Sequence, residues 1–232
     1  MVLSFRSAEK LSRLACAFVV LAGWQIAAAQ AVPTVTFTLD FPGSDPSHYA
    51  ISVSSDRHAS YEGNGRLSSK YDSEPAENFQ LTFTASPELA TRIFDLARKA
   101  HYFQGEIETR KKGLAATGAK TLAYRDGERN VQAEYNYSPQ PAVQELTRIF
   151  QSLSATLEFG RRLEYCYHYQ KLALDDELKN MEGFAKQGDL QELSAVAPIL
   201  QKIADDPSVI NVVRYRARRL LLQACKDLAV GQ

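Results

Sequence analysis

The chain has 232 residues, of which 27 are basic and 27 acidic, so its formal net charge is zero. A balanced charge excludes the broad electrostatic attraction to nucleic acid or anionic membranes that strongly basic proteins have. Three cysteines are too few for a disulfide-stapled scaffold, and the length is sufficient to bury a core without one.

Residues 1–31 have the pattern of a secretory signal peptide. The apolar run Leu14–Ala29 follows a segment with three basic residues and ends in small residues. Cleavage is predicted after Ala29 or after Ala31, and the second site is slightly preferred. An uncleaved membrane anchor is the alternative, but it needs about 20 apolar residues and this run is shorter. The sequence therefore predicts a periplasmic or secreted protein with no transmembrane helix after cleavage.

Two cysteines, Cys166 and Cys225, remain after the predicted cleavage. In an oxidising compartment they are candidates for one disulfide bond, and two separate buried thiols are the alternative. Cleavage at residue 31 also removes three basic residues and one acidic residue, which leaves a mature net charge of −2. This charge gives no reason to expect a nucleic-acid partner.

Four segments near the start of the mature chain predict an antiparallel meander. Apolar and polar residues alternate in Thr34–Leu39, His48–Ser54 and Phe79–Thr84, which is the period of a half-buried strand. A shorter strand is predicted at Ala59–Glu62. The polar run 63–78 is expected to cross the surface before the last of these strands.

The strand that begins at Phe79 leads into a helix. Ser86 is placed to cap this helix, Pro87 suits its first position, and Glu88 adds a negative charge to its first turn. Its apolar face comprises Leu89, Ile93, Leu96, Ala97 and Ala100.

A β-hairpin and a second helix are predicted after the polar loop 104–119. Thr121–Tyr124 and Asn130–Tyr137 flank Asp126-Gly127, which is a strong hairpin signal. The second helix is predicted to begin near residues 138–141, and its apolar stripe ends at Leu157. Strands, helix, hairpin and helix in this order indicate an α+β fold, with an antiparallel sheet packed by two helices.

No strand pattern returns after Gly160, and three further helices are predicted. The first is expected over Leu163–Met181, the second over Leu190–Ile203, and the third from about residue 206 to Leu228. The sequence therefore predicts a signal peptide at 1–31, an α+β domain at 32–159 and a helical C-terminal region at 160–232.

No motif indicates a cofactor, a metal site or a catalytic mechanism. The stretch Gly113–Thr121 is similar to a phosphate-binding loop, but it has one residue too many before Lys120, and a strand pattern follows instead of a helix. None of the four histidines has zinc-binding spacing, although His48 and His58 are predicted on adjacent strands. We therefore predict no cofactor and no metal, and an enzyme is the less favoured interpretation.

Two pairs of residues in the helical region are candidate ligand-binding residues. Tyr165 and Tyr169 share a helix face and could stack against a glycan or peptide, and tyrosines that only pack the helix are the alternative. Arg214 and Arg218 are also one turn apart and could contact anionic lipid or an envelope polymer. A solvated basic helix face is the alternative for this pair.

Four short segments lie within or next to the predicted strands, helix and hairpin of the sheet part. They are Tyr49–Val53, Tyr61–Gly63, Tyr102–Phe103 and Tyr124–Gly127. With them the chain resembles small extracytoplasmic bacterial domains of unknown function, over about residues 35–157. The resemblance implies a bacterial, exported and non-enzymatic protein with a short sheet and helices. It implies no catalytic residues and no particular ligand.

These observations favour an exported, non-catalytic protein that binds a protein or a cell-envelope component. One alternative is an extracytoplasmic hydrolase whose site forms only in space, near the loop 104–119. Another is a carrier of a small ligand between the sheet and the long helices, which would need an apolar cavity of about 300 Å³ or more. The sequence does not indicate an oligomeric state.

Overall fold

The computed structural model describes residues 31–67, 78–109, 113 and 115–229, with side chains as far as Cys225. Most of the predicted signal peptide, including Ala29, lies outside these residues, and so do the polar stretch 68–77 and the basic triplet 110–112.

Six described strands form one antiparallel sheet. They are β1 (Thr34–Asp40), β2 (His48–Ser54), β3 (His58–Gly63), β4 (Phe79–Thr84), β5 (Ala119–Arg125) and β6 (Asn130–Tyr135). Their order across the sheet is β4-β3-β2-β1-β5-β6. The first four strands are the predicted meander, and the predicted hairpin joins them by pairing β5 with β1.

Five α-helices accompany the sheet within the described residues. They are α1 (Pro87–Lys99), α2 (Pro141–Tyr169), α3 (Leu174–Gln187), α4 (Ala197–Asp205) and α5 (Asn211–Ala229). A sheet with helices followed by a helical C-terminal region confirms the predicted α+β class. Among the described helices, none combines the length and the apolar character that a membrane crossing requires.

The two faces of the sheet have opposite character, because side chains alternate along each strand. One face is apolar and lies in the core: Phe37, Ile51 and Leu122 are fully buried there, and Phe37 stacks on Phe150 of α2 with ring centroids 5.3 Å apart. The alternate positions of the six strands carry only polar residues and alanines. The core therefore lies between one sheet face and the helices.

Helix α1 begins as the sequence predicts, and its start also joins the two parts of the chain. The Ser86 hydroxyl accepts a hydrogen bond from the Leu89 amide at 3.2 Å, which satisfies one of the amides that lack a partner in the first turn. A carboxylate oxygen of Glu192 in turn accepts hydrogen bonds from the Ser86 amide at 3.0 Å and hydroxyl at 2.8 Å. The cap thus connects α1 with the segment between α3 and α4.

Helix α2 differs from the prediction, because it crosses the expected boundary between residues 159 and 160 without interruption. Gly160 is not a boundary residue: a Cβ atom there would overlap the side chain of Val196, so glycine allows α2 and this neighbouring turn to approach closely. The prediction of one helix over Leu163–Met181 is also wrong. Helix α2 ends at Tyr169, and a 3₁₀ turn at Lys171–Ala173 separates it from α3.

Candidate functional site

Large apolar side chains reach solvent mainly in the C-terminal helical region. Nine such side chains are exposed in the described chain, and only Val32 and Tyr137 belong to the sheet part. The other seven are Tyr169, Leu172, Phe184, Ile210, Val212, Tyr215 and Leu222. Concentrated apolar exposure of this kind is typical of interaction surfaces, whereas single exposed apolar residues are common on any protein.

Helix α5 has apolar residues on two opposite faces. Its buried stripe comprises Val213, Ala217, Leu220 and Ala224. On the opposite side, Tyr215 and Leu222 are 61% and 64% exposed, and their separation of seven residues places them about 10 Å apart along one face. We call Val212, Tyr215, Arg218, Arg219 and Leu222 the α5 outer face.

The sequence prediction included Arg218 but missed the apolar members of the α5 outer face. The sequence contains a pattern for these apolar members. Tyr215 follows Val212 by three residues and Leu222 follows Tyr215 by seven, which places them on one helix face that differs from the buried stripe. A helix with two apolar stripes has one that the core does not need, and this is the feature that could have revealed the surface.

Ion pairs fix the position of α5 against α3. Glu182 of α3 is buried, and its carboxylate accepts a hydrogen bond at 2.6 Å from Arg216 and another from Arg219. Arg216 also donates to Asp175 at 2.9 Å, and this carboxylate and then Glu182 raise the pKa of its guanidinium. The guanidinium of Arg219 lies 5.2 Å from the Tyr215 ring centroid, so it stacks on the outer face and anchors Tyr215.

The predicted binding residues Arg214 and Arg218 carry charges that no described carboxylate neutralises. Arg214 donates to the Asn211 side chain, and its buried Nε has no hydrogen-bond partner among the described residues. Arg218 donates to the Ala204 carbonyl at 3.1 Å, where a cation is favourable because the C-terminal end of α4 is negative. Arg218 therefore has a structural contact as well as an exposed position on α5.

The predicted pair Tyr165 and Tyr169 forms as expected from its spacing, with ring centroids 5.3 Å apart. Tyr165 is partly buried against the core, whereas Tyr169 is 76% exposed. No hydrogen bond or ring contact in the described structure joins this pair to Arg214 or Arg218. The four predicted residues thus form two separate groups on the same helical region.

A salt bridge brings the end of α2 close to the beginning of α5. The Lys171 ammonium donates to Asp206 at 2.9 Å and to the Ser208 hydroxyl at 2.6 Å, both in the connection between α4 and α5. Its Nζ also lies 5.1 Å from the ring centroid of Tyr167 on α2. Exposed Tyr169 therefore lies at the same end of the helical region as the first turn of α5.

The predicted disulfide between Cys166 and Cys225 is not present in the structure, where both cysteines are free. Cys166 is buried on α2, where it packs in the core, whereas Cys225 is exposed on α5. The helical region is held by packing and ion pairs instead.

The stretch similar to a phosphate-binding loop has a structural use for its lysine. Lys120 is a core-facing residue of β5 that is only 4% exposed, and burial lowers the pKa of its ammonium. The ammonium donates to the Thr117 hydroxyl at 2.8 Å, the Asn136 carbonyl at 2.9 Å and the Thr117 carbonyl at 3.1 Å. These contacts occupy the three protons that a phosphate would need.

His48 and His58 do not approach each other, because the register places them at opposite ends of the β2–β3 pair. His48 instead contacts Asp40 at 2.6 Å across β1 and β2. In the part of the chain that the structure describes, no group of three or more histidine, cysteine, aspartate or glutamate side chains is arranged to hold a metal ion.

The loop region proposed for a hydrolase contains an open depression of about 640 Å³. Asp40, Glu108 and Glu134 line it, and all three are exposed side chains on a surface open to water. Glu108 accepts a hydrogen bond from the Asn136 amide at 3.1 Å, which gives it a role in holding the loop to the end of β6. The hydrolase interpretation stays a prediction.

One polar cluster is deeply buried, at the contact between α2 and the sheet. The Tyr61 hydroxyl donates to Glu158 at 2.5 Å, and burial followed by the Glu158 charge raises the pKa of this phenol. Arg161 donates to the Gly65 carbonyl at 2.9 Å and lies 3.4 Å from the other Glu158 oxygen. The cluster joins the helix to the sheet, and the buried Arg161 Nη2 has no hydrogen-bond partner among the described residues.

A pocket of about 260 Å³ lies between the sheet and helices α2 and α3. Its wall includes the aromatic rings of Tyr49, Phe159 and Phe184 together with the charged groups of Asp45 and Arg162. A carrier of an apolar ligand needs a larger and less polar cavity.

No protein-family model and no curated protein matches the chain. The resemblance to extracytoplasmic bacterial domains therefore stays a prediction. The case for function rests on the residues and surfaces of this chain, among which the α5 outer face has the clearest character of a binding site.

Proposed function

We propose that the protein is an exported, non-catalytic binding protein, and that its C-terminal helical region docks a protein of the cell envelope through the α5 outer face. One observation carries the proposal: Tyr215 and Leu222 lie exposed on α5 directly opposite its buried stripe. The core of the protein does not use these side chains, so their burial by a partner would remove apolar surface from water.

The composition of the α5 outer face supports a protein partner. Tyrosine and arginine are the residue types most enriched among the side chains that dominate binding energy, and both are present here beside leucine and valine. Full burial of a leucine side chain contributes about 1.5–3 kcal/mol. A few residues near the centre of an interface usually carry most of its binding energy.

The charge of the surface indicates which protein surfaces it fits. Arg214 and Arg218 lack a described carboxylate partner, so a partner with acidic groups around an apolar centre would be complementary. The mature chain as a whole has a slight negative charge, and the attraction would therefore be local to α5 rather than a property of the whole molecule.

Site-specific photo-cross-linking in the native envelope tests the proposal. A photoreactive phenylalanine analogue replaces Tyr215 in one variant and Tyr137, an exposed tyrosine of the sheet part, in the matched control. We expect a discrete protein adduct from position 215 and none from position 137. Leu222→Asp in the same background should reduce the adduct at least tenfold, since a charge would be desolvated in the interface.

Thermal unfolding of each variant shows that folding is intact, which is expected because positions 215 and 222 are exposed. Equal adducts from positions 215 and 137, or an adduct from position 215 that Leu222→Asp leaves unchanged, would contradict the proposal. A lack of any adduct at position 215 would contradict it as well.

A further inference from the structure

Strand β4 is the last strand on one side of the sheet. It pairs with β3 through six consecutive residues, and no described residue pairs with its outer edge. The backbone amides and carbonyls of that edge therefore point away from the sheet. Such a row of groups is a template for one more strand.

The sequence of β4 contains none of the devices that usually protect an edge. Its residues Phe-Gln-Leu-Thr-Phe-Thr include no charge, proline or glycine, and the unbroken register with β3 leaves no bulge. Six residues with strong β preference and no charge also form the sequence signature of a self-pairing segment. Both features concern the strand itself and do not depend on the α5 outer face.

The opposite edge of the sheet, formed by β6, differs from β4 in its charge and in the chain that lies beside it. Strand β6 carries a charge at Glu134, and the chain around Glu108 follows its end: the Thr109 amide donates to the Tyr137 carbonyl at 3.1 Å. One edge thus carries a charge and has chain beside its end, and the other is neutral and unpaired among the described residues.

We propose that two copies of the chain pair through β4 in an antiparallel, two-fold arrangement that joins their sheets. In the register centred on Leu81, this residue lies opposite its own copy and Phe79 lies opposite Phe83, all on the helix side. These three side chains remain partly exposed in one copy, so pairing covers them. On the other side Gln80 lies opposite Thr82, and no like charges face each other.

The resulting dimer has a continuous sheet of twelve described strands, and the polar faces of the two copies form one surface. A single strand pair is a small interface, so we expect association in the micromolar range rather than a permanent dimer. This inference is independent of the proposed function, because β4 and α5 are different surfaces and either could fail alone.

The test introduces like charges where the two copies meet. Gln80→Lys with Thr82→Lys places the new ammonium groups directly opposite those of the second copy, which destabilises strand pairing. Asn130→Lys with Gln132→Lys is the matched control, since it adds the same charge to the same sheet face at the β6 edge. Sedimentation equilibrium over a concentration series measures the dissociation constant of each variant.

We expect the wild type to dimerise, the β4 variant to associate at least tenfold more weakly, and the β6 variant to match the wild type. A wild type that stays monomeric at the highest soluble concentration would overturn the proposal, as would a dimer that the β4 variant retains. Equal losses in both variants would also overturn it.

A covalent measurement checks the register separately. Leu81→Cys in a Cys16→Ser and Cys225→Ser background should give a disulfide-linked dimer on mild oxidation, because the two introduced thiols would lie opposite each other. The same background with Thr121→Cys, on central strand β5, is the control and should stay monomeric. Linkage at position 121 but not at 81 would contradict the register.

Discussion

The sheet part and the helical region differ in how they distribute apolar and polar side chains. In the sheet part, apolar residues such as Phe37 lie on the core face, and polar residues such as its neighbour Thr36 lie on the opposite face. In the helical region, ion pairs such as those of Glu182 connect helices that also pack through apolar residues, and large apolar side chains such as Tyr215 remain exposed. The helical region thus exposes more large apolar side chains than the sheet part does.

Helix α5 keeps its place in the fold without using the apolar side chains of its outer face. Helix α5 buries the small residues Ala217 and Ala224 in its apolar stripe, so this stripe alone contributes limited burial. Arg216 and Arg219 add charged hydrogen bonds to α3 from the sides of the helix. Tyr215 and Leu222 are consequently not needed for packing.

The largest expected effect concerns the ion pair buried beneath the sheet. Arg161→Ala would leave the Glu158 carboxylate, which is 3% exposed, without its cation, and we expect a loss of about 3–5 kcal/mol in the free energy of unfolding. Arg162→Ala is the matched control one residue later, where the Glu177 pair is less deeply buried and a smaller loss is expected. Urea denaturation measures both.

Equal losses of stability in the two arginine variants would contradict the expectation that the more deeply buried ion pair matters more. A double variant with Glu158→Gln and Arg161→Met sharpens it further. This variant should be more stable than Arg161→Ala, because no uncompensated charge stays buried.

A smaller loss is expected between the helices. Glu182→Gln keeps the size of the side chain but removes the charge that Arg216 and Arg219 share, so about 1–3 kcal/mol of stability should be lost. Glu164→Gln, whose partner Lys202 is half exposed, is the control and should cost less than about 1 kcal/mol. Guanidinium would screen the charges, so urea or heat should be used to unfold both variants.

If Glu164→Gln proved as destabilising as Glu182→Gln, the depth of the carboxylate would not matter for α3 and α5. Salt provides a second criterion. The loss at Glu164 should disappear at about 1 M NaCl, where the Debye length is near 3 Å, and most of the loss at Glu182 should persist.

The sheet part could be predicted closely from sequence because each strand carries its own signal. Alternation in His48–Ser54 determines both the extent of β2 and its buried face, and Ser86-Pro87 gives the start of α1. The hairpin was predicted from Asp126-Gly127, and the Asp126 carboxylate accepts hydrogen bonds from the amides of Glu128 and Arg129. These are local effects that need no knowledge of the rest of the fold.

The helical region was predicted less well because its key features depend on contacts distant in sequence. The boundary after residue 159 was predicted because no strand pattern returns beyond it, whereas the close approach of Gly160 to Val196 depends on a residue distant in sequence. That Cys166 is buried and Cys225 exposed depends on how the helices pack, which spacing in the sequence does not give. For the same reason the arginines of α5 could be named as basic, while their different partners could not.

The smallest effect in the comparison is expected at an exposed ion pair of the helical region. The hydrogen bond from Lys171, and then those from Ser208, hold the pKa of Asp206 well below its usual range. A carboxyl with a lowered folded-state pKa contributes stability above its unfolded value of about 3.9, and this contribution is lost as the pH falls through the folded-state value. Asp206→Asn should therefore be less stable than the wild type at pH 6, and the difference should shrink below about pH 4.

Lys171→Met should remove most of the same pH dependence, and combining the two substitutions should add little. Melting temperatures between pH 2 and pH 7 measure this, and parallel profiles for wild type and Asp206→Asn would show that the pair does not hold the end of α2 against α5.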